Sequence, residues 1–100
     1  MTNFRVKSQG AGQDPELLGL AVLGFLAAEP DRLVRFLALS GMTVEDLRAR
    51  AGEPELLAAV LDHLLADESL LFVFAEAESL HPAEVAAARR RLPGAAVPPP

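Results

Sequence analysis

Asp67-Glu68-Ser69-Leu70-Leu71-Phe72-Val73-Phe74-Ala75-Glu76-Ala77 is the stretch on which the fold class turns. Taken alone, the five apolar residues from Leu70 to Phe74 suit a buried strand. Their flanks point the other way. Asp67 and Glu68 are a helix-start signal, and Ala75 to Ala77 continue a helix well. The segment is therefore read as a helix capped by Asp67.

Composition supports that reading. Ala and Leu supply 18 residues each of the 100, whereas Val, Thr and Phe together supply 15, and Ile, Trp and Tyr are missing. Such a balance favours helices over a β-sandwich or barrel. With 51% apolar residues the chain can bury a single core, with a stability of about 5–10 kcal/mol. Residues 1–13 are polar and aperiodic and are expected to form a disordered tail. Residues 93–100 (Pro-Gly-Ala-Ala-Val-Pro-Pro-Pro) are expected to form a Pro-rich extended tail. The single helical domain then spans 14–92.

Six helices fit this domain. Asp14-Pro15-Glu16 opens the first, with an N-cap acid followed by Pro at the first helical position. Its apolar run from Leu17 to Ala28 contains Gly19 and Gly24, is too short to span a bilayer, and reads as a buried core helix. Asp31 is expected to cap the second helix, with Leu33, Phe36 and Leu37 on one face, Arg32 and Arg35 on the other, and Gly41 as its stop. Thr43-Val44-Glu45-Asp46 resembles a capping box and opens a short third helix. Glu53-Pro54-Glu55 starts a fourth. Asp67 caps the fifth, and His81 the sixth, which ends in Arg89-Arg90-Arg91.

Shifting the chain by 38 residues aligns 16–54 with 54–92, and nine of 39 pairs are identical, among them Val22/Val60, Leu26/Leu64 and Phe36/Phe74. The matches fall on expected core positions and helix starts, as two three-helix units closing around one core would require. Two mismatches carry information. Arg32 and Arg35 correspond to Leu70 and Val73, so the fifth helix lacks a polar outer face. It is either the central buried helix or it offers a stripe of Leu70, Val73 and Ala77 to a partner. Phe25 and Gly24 correspond to His63 and Asp62, which predicts a fourth helix more exposed than the first.

The net charge is −5, and from Ala51 to Ala88 there are eight acids and no Lys or Arg. Nucleic acid is an unexpected partner for such a chain, whereas a basic protein surface could be steered to it. The arginine run offers little to RNA, since adjacent residues diverge on a helix and the five Phe are expected in core or tail. The chain has no cysteine, which excludes disulfides and thiolate chemistry and makes the cytoplasm the default location. No membrane partner is expected.

Catalytic signals are sparse. Asp62-His63, with Asp67 nearby, is a possible polar or metal site but lacks the further ligands a metal-dependent hydrolase needs. Glu78-x-x-His81 has the spacing of half a di-iron carboxylate site, without a second copy. Pro82 makes His81 a helix cap instead. No catalytic residue, cofactor or small-molecule ligand is therefore assigned.

Leu23-Gly-Phe-Leu-Ala-Ala-Glu-Pro-Asp-Arg-Leu33, Arg35-Phe-Leu-Ala-Leu-Ser-Gly41 and the stretch from Leu56 to Leu71 resemble a family of small alphaproteobacterial proteins catalogued as domain of unknown function 3572. The resemblance covers about 16–92 and implies a stand-alone bacterial cytoplasmic domain. It brings no activity and no site residues. The expectation is thus an all-α six-helix domain acting as a non-enzymatic protein-interaction module. The alternative is a homodimer with a ligand or metal site near Asp62, His63 and Asp67.

Overall fold

The structure is a computed structural model that describes residues 14–94. Those residues form six α-helices and no strand: α1 (Pro15–Ala27), α2 (Pro30–Ser40), α3 (Val44–Arg50), α4 (Pro54–Leu65), α5 (Glu68–Ala77) and α6 (Pro82–Arg90). The Leu70–Phe74 run is helical, as its flanks indicate. The expected tail at 1–13, and the expected tail at 93–100 apart from Pro93 and Gly94, lie outside the described residues. None of the described helices is long and apolar enough to cross a membrane.

Most helix starts follow the side chains that cap them. Asp14 Oδ1 accepts the Glu16 amide at 2.8 Å, and Asp67 Oδ1 accepts that of Leu70 at 3.1 Å. Thr43 and Asp46 exchange two bonds, each 3.0 Å, in a reciprocal capping box. Gly41 closes α2 in the left-handed region at φ 77°, where a β-carbon would be strained. The start of α2 differs from expectation. Pro30 is already its first residue, Glu29 is the N-cap without a side-chain bond, and Asp31 sits in the first turn. Pro30 presets the helical φ at the first position, and the Glu29 carbonyl accepts the Arg32 and Leu33 amides at 3.0 and 3.1 Å.

The core gathers around α4, which buries Leu56, Leu57, Ala58, Val60, Leu61 and Leu64 and packs against α1, α5 and α6. The expectation that α4 is more exposed than α1 is corrected here. Of its polar residues, Asp62 is half exposed but reaches Arg89 of α6, and His63 is half-buried against Phe36 of α2. Phe36 and Phe74 add the largest buried rings.

α1 and α4 approach each other closely at Gly19. A β-carbon built on Gly19 would stand 2.8 Å from the Leu57 β-carbon. That contact excludes any larger residue and explains a glycine in the middle of a helix, where it otherwise costs about 1 kcal/mol relative to alanine.

Gly19 and Leu57 are also partners under the 38-residue shift. Two ring contacts exchange under the same shift. Phe25 meets Phe74 edge-on at 5.3 Å and 72°, and its image, His63 against Phe36, does so at 5.1 Å and 77°. A two-fold relation between the halves requires exchanged pairs of this kind. The third helices break the pattern: α6 packs on both α1 and α4, whereas α3 has no comparable packing on either among the described residues.

Candidate functional site

Asp62, His63 and Asp67 do not converge. On α4, Asp62 turns to α6 and its Oδ1 accepts from Arg89 Nε at 2.7 Å. One residue on, and so about 100° around the helix, His63 packs its ring on Phe36 of α2. Asp67 spends Oδ1 on the cap of α5. No group of three or more His, Cys, Asp or Glu side chains that could hold a metal ion occurs among the described residues.

Arg89 is the centre of a clamp. Only 7% of it is accessible. Beyond Asp62 it donates through Nη1 to the carbonyls of Leu92 (3.4 Å) and Pro93 (3.3 Å), and through Nη2 to that of Gly94 (2.6 Å). The planar guanidinium suits this fork of acceptors. It neutralises chain-end carbonyls that would otherwise be poorly satisfied after α6. The chain therefore stays bound to the domain two residues past Leu92, where the sequence suggested that the tail begins. The arginine run is accordingly not one surface, because Arg89 is spent inside.

His63 is half-buried, and its Nε2 is enclosed with no hydrogen-bond partner among the described residues. Burial lowers its pKa from the ordinary value of 6.5, the positive charge of Arg35 lowers it further, and Asp67 opposes both. A histidine depressed in the folded state takes its proton first in the unfolded chain. Its contribution is therefore complete above about pH 6.5 and is lost as pH falls toward the folded-state value. Relative to His63→Phe, which keeps the edge-on ring contact, the wild type should lose urea resistance between about pH 7.5 and 5.5. Parallel midpoints for the two proteins across that range would contradict the assignment.

His81 is a cap. Its Nδ1 accepts the Ala83 amide at 3.1 Å, and the His81 amide donates to Glu84 Oε2 at 3.1 Å. It plays no part in a carboxylate–histidine metal set.

What the surface does offer is apolar. On α5, Val73 and Ala77 are exposed, and so is Phe72, which the sequence reading expected in the core. Leu70 is a correction: it is half-buried and packs against the core. At 100° per residue it shares the inward margin with Phe74. Glu76 and Ser69 sit between Phe72 and Val73, so α5 shows separate apolar residues rather than a stripe. On α2, Arg32 is not a solvent residue, because its guanidinium lies 4.2 Å above the Phe25 ring. An open groove lined by Asp31, Val34, Arg35, Ala38 and Leu39 runs along the outer side of that one helix.

The continuous face is on α1, where the sequence suggested a wholly buried helix. Leu18, Gly19, Val22, Leu23 and Leu26 do face the core. On the opposite side Leu17 is 64% and Leu20 42% accessible, with Ala21, Gly24, Ala27 and Ala28 also exposed. No polar side chain interrupts the helix between Glu16 and Glu29. A helix apolar all round is ordinarily covered all round. That rule, applied to the sequence, is the signal for this face, yet it cannot say whether the cover comes from the same chain.

No curated protein and no solved structure matches the chain. The family model described as "Protein of unknown function (DUF3572)" matches residues 12–95, a range that contains all six helices, and the chain belongs to that family.

Proposed function

We propose that this chain is a small, non-enzymatic helical interaction module that docks a partner protein on the outer face of α1. The observation that carries the reading is the stripe of Leu17, Leu20, Ala21 and Gly24, solvent-exposed on a helix with no polar side of its own. The structural employment of Asp62, Asp67 and His81 supports the non-enzymatic part. The cysteine-free composition supports a place in the cytoplasm.

The face can be tested without disturbing the core. Leu20→Glu should leave stability within about 0.5 kcal/mol of wild type, as surface substitutions do. It should nonetheless lose a protein that tagged wild type retains from cells of its own source. Leu26→Glu, on the buried side of the same helix, should fail to fold. Retention of the same protein by wild type and Leu20→Glu would contradict the reading.

A further inference from the structure

We infer, resting on that reading, that the occupant of the α1 face is a helix from another protein, with a small-residue apolar side and Lys or Arg at both ends. The fold contains its own example of how such a face is covered. Under the 38-residue shift Leu20 and Gly24 of α1 correspond to Ala58 and Asp62 of α4. On α4, Ala58 is buried and Asp62 holds Arg89 of α6, an alanine-rich helix with arginines in its last turn. The matching helix of the first half, α3, does not pack comparably on α1, so α1 keeps the place but lacks its helix. Gly24 has no atom within 4 Å of where its β-carbon would be, so another backbone can approach closely at the middle of the stripe.

Charge selects the partner. Asp14 and Glu16 stand at one end of the stripe, and Glu29 and Asp31 at the other. Residues 14–94 carry fourteen acids against seven arginines. Among those arginines Arg50 is held by Glu53, Arg89 by Asp62, and Arg32 lies on Phe25. A second copy is disfavoured in either direction. Antiparallel α1 helices would set Asp14 and Glu16 against Glu29 and Asp31, and parallel ones would oppose each acid to itself. A basic-ended helix meets complementary charge at both ends in one orientation or the other.

Two synthetic Ala/Leu amphipathic peptides of equal length, one with lysines and one with glutamates at both ends, test this against the full chain. With the lysine peptide, amide shifts should map to Leu17, Leu20, Ala21 and Gly24. Its affinity should exceed that of the glutamate peptide about tenfold or more, and the gap should narrow between about 50 and 500 mM salt. Leu20→Glu should abolish the response. Equal binding of both peptides, shifts centred on Phe72 and Val73 of α5, or no shift with either peptide would overturn the inference. So would a concentration-dependent dimer that Leu20→Glu dissolves, or protection of α1 by residues 1–13 of the same chain. The docking reading fails separately, when Leu20→Glu retains the cellular partner. If that partner is lost while the two peptides bind alike, the face stands and the basic helix falls.

Discussion

Replacing Arg89 by alanine is expected to lower the unfolding free energy by about 3 kcal/mol, enough to depress Tm by about 10–20 °C in a domain of this size. The loss has two sources. The aliphatic stem is buried against the core, and its truncation leaves a void. The guanidinium also satisfies the carbonyls of Leu92, Pro93 and Gly94, which would then compete for water at the domain edge. Asp62 contributes less to the penalty, since its side chain is half exposed and rehydrates when its partner goes. Arg89→Lys should recover only part of the stability, because an ammonium keeps the charge but cannot fork between Asp62 and three carbonyls. Amide hydrogen exchange should quicken at Leu92 and Gly94 in both variants. A cost below about 1 kcal/mol for Arg89→Ala would reduce the clamp to an ordinary surface ion pair.

The second large effect is a contrast between two glycines of one helix. Gly19→Ala should destabilise the domain by about 1–3 kcal/mol despite the better helix propensity of alanine, because its β-carbon would press on that of Leu57. Neither atom can rotate away, so α1 and α4 must separate. Gly24→Ala, with open space around the new methyl, should stabilise by about 0.5–1 kcal/mol. Chemical denaturation of the two variants reads both signs. If both substitutions stabilise, the close approach of α1 and α4 is not what fixes Gly19.

The all-helical architecture was legible because its punctuation is chemical and local. Asp14, Thr43, Asp67 and His81 stand where a side chain must accept orphan amides, and Gly41 stands where the backbone turns left-handed. Burial was less legible. Periodicity marks which positions of a helix are apolar, but α1 is apolar on every side, so its pattern does not reveal which half the chain covers. The polar pair Asp62-His63 made α4 look peripheral, although one residue holds a buried arginine and the other lies on an aromatic ring. Nothing local distinguishes Arg89 from Arg90 and Arg91. Only the position of α6 over α4 decides which of the three turns inward.

The central claim is that the outer face of α1 is a docking surface. Its most direct test is a photo-crosslinking residue placed at Leu20 in the full chain and activated in living cells, with the same residue at Arg48 on α3 as the control position. The account predicts a discrete adduct with another protein at position 20 and not at 48. Equal labelling at the two positions, or no adduct at Leu20, would contradict it.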